Sequence, residues 1–173
     1  MSFLVLAFPA LAEGDFQRIQ AFRKNYDPFC SVVDPHFTLV FPVNEIRKED
    51  FISEIKKQSK NFQPFEFIIQ KAIIHKDELN DDHYIFLLPE KGWSNFIEIH
   101  DQLYSGLLKD HLRRDIEFIP HITIVKSKDK LECDKIAHEW NCNNLSVEGR
   151  ITHLTIAEYQ NDRLVTLQKL SPT

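Results

Sequence analysis

Two hydrophobic periods alternate along this chain. Phe3 to Phe8 is a short apolar run ended by Pro9, which predicts a buried strand. Phe16, Ile19 and Phe22 then recur at helical spacing with Arg18, Arg23 and Lys24 between them, predicting one amphipathic helix. The stretch His36 to Phe41 is β-rich and stops at Pro42, after which Phe51, Ile52 and Ile55 mark a helix from about Lys48 to Ser59. Phe65 to His75 and His83 to Leu88 are β-branched and aromatic, with the turn residues Asn80-Asp81-Asp82 between them, and predict a hairpin.

From Trp93 through Phe96, Ile97, Leu103, Leu107 and Leu108 to Leu112 an apolar stripe predicts the longest helix of the chain. Leu131, Ile136, Ala137 and Trp140 predict another. Leu145 to Tyr159 and Leu164 to Leu167 read as a final pair of strands. The two halves share one order of elements, and no linker rich in Gly, Ser or Pro divides them. Residues 1–173 are therefore expected to form a single domain of two related lobes sharing a cleft.

Composition narrows the class. Hydrophobic residues make up 43% of the chain and 14 are Phe, enough for a substantial aromatic core. No apolar run approaches the roughly 20 residues of a membrane span, and no basic region precedes the first apolar stretch, so a cytoplasmic, membrane-free protein is expected. Cys30, Cys133 and Cys142 show no Cys-x-x-Cys spacing and are expected as small apolar groups rather than disulfides or zinc ligands. A net charge of −5 opposes sequence-blind binding to long nucleic acid, yet allows a small phosphate ligand held by a few donors. With only Gly14, Gly92, Gly106 and Gly149, the chain has neither a P-loop nor a dinucleotide fingerprint. Neither a cofactor nor a metal is implied.

The candidate chemistry lies in a near repeat. Pro35-His36-Phe37-Thr38-Leu39-Val40 and Pro120-His121-Ile122-Thr123-Ile124-Val125 share four of six positions, and the other two exchange one apolar residue for another. Along a strand the His and Thr of each copy point to the same side. Histidine, with an unperturbed pKa near 6.5, gives or takes a proton at neutral pH, so two of them divide general base and general acid. The two Thr hydroxyls can donate to phosphate oxygens where charge grows in the transition state. One copy alone is commonplace packing; the repetition with its proline points to a site.

His36-Phe37-Thr38-Leu39-Val40-Phe41 and His121-Ile122-Thr123-Ile124-Val125-Lys126 resemble the paired His-x-Thr motifs of the two-histidine (2H) phosphoesterase superfamily, closest to its small 2′-5′ RNA ligase-like or cyclic phosphodiesterase-like branch. The resemblance covers nearly the whole chain. It implies a bilobal α+β fold, each lobe an antiparallel sheet flanked by helices, with the active site in the cleft between them. It implies metal-independent hydrolysis of 2′,3′-cyclic phosphates at RNA ends or on small cyclic or 2′-5′ nucleotides, with reversible ATP-independent 2′-5′ ligation and a place in RNA processing. His36 and His121 would be the acid and base, in an order left open, and Thr38 and Thr123 would hold the phosphate. The protein would act as a monomer. The alternative is a nucleotide- or RNA-end-binding module without turnover.

Phe41 and Lys126 match positions where related proteins carry Phe and Arg or Lys, and are candidates for substrate binding. Strict alternation puts residue five on the face opposite the histidine, so each reaches the cleft only if its strand ends or bulges. Otherwise Phe41 packs in the core and Lys126 faces solvent. His75, His83, His100, His111, His138 and His153 are expected to pack or cap. Tyr26, Phe41 and Tyr84 are possible stacking platforms for a base.

Overall fold

A computed structural model describes residues 1–77, 80–143 and 145–172. Two antiparallel sheets flanked by helices form an α+β fold, as expected. The first sheet has the order β3-β1-β8-β9, from Phe37–Val43, Ser2–Ala7, Leu154–Gln160 and Arg163–Leu170. The second has the order β2-β7-β4-β5-β6, from Ala10–Leu11, Val147–Ile151, Phe65–Lys76, His83–Lys91 and Ile122–Ser127. Helices α2 (Lys48–Gln58) and α3 (Trp93–Leu103) pack together, with α3 against β3 and Phe51 of α2 against Phe3 of β1. Helices α1 (Glu13–Tyr26) and α4 (Lys130–Cys142) cover the second sheet, and their Phe22 and Trp140 rings meet at 5.8 Å.

The lobes are not the two halves of the sequence. β1 and β3 come from the first half and β8 and β9 from the second, while the other sheet joins β2, β4 and β5 to β6 and β7. Leu145 to Tyr159, read as one strand, is two: the chain breaks at Thr152 and His153, and β7 joins one sheet while β8 joins the other. The predicted long helix also divides. α3 ends at Leu103, and after Tyr104-Ser105-Gly106 a single 3₁₀ turn, Leu107–His111, carries the rest of the stripe. The backbone N–H of Leu107 donates to Oε1 of Glu54 at 2.8 Å, so α2 anchors the break. α1, at 14 residues, is the longest helix. Pro42 does not end β3, which runs on to Val43; on an outer strand a missing N–H costs little.

One hydrophobic core runs through both sheets. Phe37 of β3 lies 4.1 Å from Phe96 of α3 and 5.2 Å from Phe67 of β4, and Phe96 also meets Phe65 at 4.8 Å. Gly92 starts α3 at φ 88°, and a Cβ there would stand 2.7 Å from the carbonyl oxygen of Glu66. Only glycine allows so close an approach in that conformation. A second, smaller apolar cluster lies on the opposite face of the first sheet, with Leu4, Leu6 and Ala157 at its centre. β1 is thus buried on both faces along its whole length.

Phe96→Ala empties the junction of the two lobes. It should lower unfolding free energy by about 3–5 kcal/mol in urea denaturation, with Phe96→Leu costing distinctly less.

Candidate active site

Each motif histidine immediately precedes an outer strand, His36 before β3 and His121 before β6. Nδ1 of His36 bonds the carbonyl of Asp34 at 2.8 Å, and Nδ1 of His121 bonds that of Ile119 at 2.5 Å. The same i to i−2 bond is made twice, spanning Pro35 and Pro120. A carbonyl only accepts, so Nδ1 carries the proton in both rings and Nε2 keeps the reactive lone pair. The prolines, whose φ is fixed near −65°, hold the chain in the bend this bond needs.

The two motifs meet at one cavity of about 260 Å³, lined by His36 from one and by Thr123 and Lys126 from the other. Thr38 is paired across the sheet with Leu6, which lines the same cavity, so its side chain stands on that face. The ring of His121 is stacked on Phe86 at 3.6 Å and 18°, and His75 stacks on Phe86 at 5.0 Å and 17°. Burial pushes the His121 imidazole down to about 4, helped by the nearby charges of His36 and His75 and opposed by its bond to Ile119. His36 is lowered too, chiefly by burial, with the Arg23 guanidinium adding to it. Both rings are therefore neutral at rest near pH 7.

The wall beside His36 rests on a residue that sequence reading passed over. Arg23 is 1% exposed. Its guanidinium donates to Asp27 Oδ2 at 2.8 Å, to Gln20 Oε1 at 2.8 Å and to the carbonyl of Val33 at 2.7 Å. It thus ties the end of α1 to the segment that delivers Asp34, the acceptor of His36. The available signal was spacing: Ile19, Arg23 and Asp27 lie on one helical face four residues apart.

Backbone irregularities decide what the fifth residues do. β3 bulges between Thr38 and Val40, and β6 between Thr123 and Val125. The bulge in β6 turns Lys126 to the side of Thr123, opposite Tyr84, and it lines the cavity. There its ammonium is 3.1 Å from Asp82 and 5.6 Å from the centre of the Tyr84 ring. A hydrogen bond to Asp82 raises its pKa. β3 bulges again between Val40 and Val43, which gives the cavity face to Pro42 and turns Phe41 aside. Phe41 instead meets Phe118 edge-on at 6.4 Å, in a separate pocket with His111 and Arg113. Phe41 is therefore not among the residues the fold brings to His36. Tyr26 packs on the main core, whereas Tyr84 lines the cavity.

The remaining histidines lie elsewhere. His100 is buried, donates from Nδ1 to the carbonyl of Leu39 at 2.8 Å and stacks on Phe118 at 3.7 Å. His138 touches Cys142 on α4, and His153 meets Thr152. Among the described residues, no group of three or more His, Cys, Asp or Glu side chains is arranged to hold a metal, and no helix is long and apolar enough to cross a membrane.

Comparison with known proteins agrees with this architecture. The sequence profile described as the 2′-5′ RNA ligase superfamily matches residues 8–163. A protein of Oceanobacillus iheyensis provisionally named a phosphoesterase is 25% identical over 164 residues, 94% of this chain and 91% of that one. In fold, the chain is similar to TT0787 of Thermus thermophilus, with a TM-score of 0.63 at 18% identity over 99% of this chain and 97% of that one. It is also similar to E. coli LigT complexed with 3′-AMP, with a TM-score of 0.58 at 15% identity over 99% and 98% of the two chains.

Removing the guanidinium strands the Asp27 carboxylate. Arg23→Met should cost about 3–5 kcal/mol of stability in denaturant melts. The lowered His121 pKa has a defined sign: the unfolded chain binds the proton more readily, so the stability it contributes is complete above pH 6.5 and is lost as pH falls toward about 4. In an NMR titration the His121 ring should reach its midpoint near pH 4, and its His121→Phe variant should show a shallower loss of stability across that interval.

Proposed function

The chain belongs to the 2′-5′ RNA ligase superfamily, and on that premise we propose that it is a metal-independent phosphodiesterase opening 2′,3′-cyclic phosphates at RNA ends or on small nucleotides. The observation that carries this reading is the doubled Nδ1-to-carbonyl bond, which makes Nε2 the proton acceptor of each motif histidine. In the forward reaction one Nε2 takes a proton from water as the water oxygen bonds phosphorus. The other imidazole, protonated, gives its proton to the departing ribose oxygen as the P–O bond breaks. The Thr38 and Thr123 hydroxyls donate to the non-bridging oxygens, and Lys126 adds positive charge at the rim. Run backwards, a ribose hydroxyl takes the place of water and a 2′-5′ linkage forms without ATP. A nucleotide ligand is supported by the neighbour LigT, whose structure holds 3′-AMP.

Two neutral imidazoles set the pH dependence. Free enzyme carries a single ring proton mainly below pH 6.5, because both pKa values are lowered. A bound phosphate anion favours the protonated ring and moves that interval upward. The maximum of kcat/KM should therefore lie below pH 6.5, and that of kcat at higher pH; a kcat/KM maximum above pH 7.5 contradicts the assignment. With a 2′,3′-cyclic nucleotide in EDTA, His36→Ala and His121→Ala should each lose about 10²–10⁴-fold in kcat, and Thr38→Val and Thr123→Val on the order of 10². Activity abolished by EDTA, or kept in both histidine variants, rules the mechanism out. Tight binding without product assigns the chain as a binding module instead.

A further inference from the structure

His121 rests on a ring to which the proton transfers above give no part. Phe86 of β5 is paired with Thr123 of β6, which puts both on one face of the sheet, and His121, two residues before Thr123, shares that side. The two rings lie 3.6 Å apart at 18°. Because β5 runs between β4 and β6, the other side of Phe86 is taken by His75, at 5.0 Å and 17°. His36 has no such partner: Phe8 stands 6.0 Å away and is tilted by 55°.

A centroid distance of 3.6 Å is the contact distance of two flat rings, so His121 and Phe86 lie face to face with little sideways offset. For two neutral rings this is a poor arrangement, because the faces are both negative and an offset or an edge contact is preferred. Protonation reverses the balance, since a cation over a benzene face is attracted to it. The contact therefore favours the imidazolium over the imidazole, whereas burial favours the imidazole. His100 makes a like stack on Phe118, but it is sealed in the core, while His121 is only half-buried.

Little else around the ring supports a positive charge. Nδ1 donates to the carbonyl of Ile119, a neutral acceptor, where the histidine of a catalytic triad donates to a carboxylate. The titratable groups whose charge His121 feels, His36 from β3 and His75 from β4, oppose its protonation. Lys126 of β6 is engaged by Asp82, Tyr84 of β5 meets Phe86 at 5.9 Å, and Arg23 of α1 is bonded to Asp27. α1 and α4 pack on the core side of β6 with Ile19, Cys133 and Ile136 buried there.

Resting on the reading that His121 moves a proton at the phosphate, we propose that Phe86 is a positioning residue for His121: it fixes the plane of the ring, and its π face stabilises the imidazolium that exists while Nε2 holds the proton. The requirement is the same whether His121 acts as base, gaining the proton from water, or as acid, holding it until the ribose oxygen departs. A stack that is unfavourable at rest and favourable with the proton on Nε2 is a differential interaction, the kind that lowers a barrier.

Fluorinated phenylalanines placed at position 86 of the full chain test this, because one, three and five fluorines keep the shape of the ring while draining and then inverting the charge of its face. Phe86→Leu, a second variant, keeps an apolar wall and removes the face. Followed by NMR without substrate, the His121 midpoint should fall stepwise with fluorination from about 4, by about half a unit to one and a half units in all. With a 2′,3′-cyclic nucleotide, kcat should fall alongside by about 3- to 30-fold with KM within about twofold, and the acid limb of the kcat/KM profile should move down by the same interval. Phe86→Leu should fall within the series on each measure. A midpoint that stays or rises with fluorination overturns the inference, since a merely apolar wall is indifferent to the charge of its face; so does a kcat that stays constant while the midpoint moves. A stepwise midpoint in a chain that turns over no cyclic nucleotide leaves the charge support standing and defeats the hydrolytic reading, and turnover with a flat midpoint does the reverse.

Discussion

A histidine can serve as a proton-transfer group only if its ring is held in one orientation and one tautomer. In this protein a single device does both, and does so twice: the carbonyl two residues upstream accepts from Nδ1 across a proline. The bond costs no additional side chain, because the chain itself provides the acceptor as it bends into the strand. It explains why the recurring unit begins with Pro rather than with His. It also places both rings at the start of outer strands, where the bend is possible.

The rest of the fold can be read as support for that pair of bends. β3, lying at the margin of its sheet, has backbone groups without a neighbouring strand, and side chains from the α3 region replace one: His100 donates to the carbonyl of Leu39, and the Tyr104 hydroxyl accepts from the N–H of Phe41 at 3.0 Å. Asn141 does likewise for β4, bonding both the N–H and the C=O of Ala72 at 2.9 Å. Such caps satisfy the exposed strand and block pairing with another chain. Beneath them the Phe37, Phe67 and Phe96 rings join the two sheets into one core.

Much of this was legible from the residues alone. The motif strands, the helices at 48–58 and 130–142, and the hairpin of β4 and β5 fall where their apolar residues predict them, because each packs apolar side chains into the core. What the sequence hid was of another kind. The apolar stripe continued past Leu103 because the 3₁₀ turn buries Leu108 on the same core, so periodicity could not reveal the break at Gly106. Bulges leave no local signature in apolar strands, and three of them settled the fates of Lys126 and Phe41. The buried Arg23 looked like a surface charge until the fold supplied its partners. The stacking of His121 on Phe86 joins residues far apart in the chain, and no pattern within either strand announces it.

The crossing of strands between lobes has a bearing on how such a protein can change over time. The near repeat at His36 and His121 has the form of a duplicated unit, but neither half now contains a complete sheet. A fragment ending before α3 would keep β1 and β3 without β8 and β9, and β4 and β5 without β6. Inheritance therefore acts on the molecule as an indivisible whole: shuffling one half against that of a distant cousin would mismatch both sheets at once. The two histidine sites are free to diverge only by substitution in place, each change being judged against the core it shares with its twin.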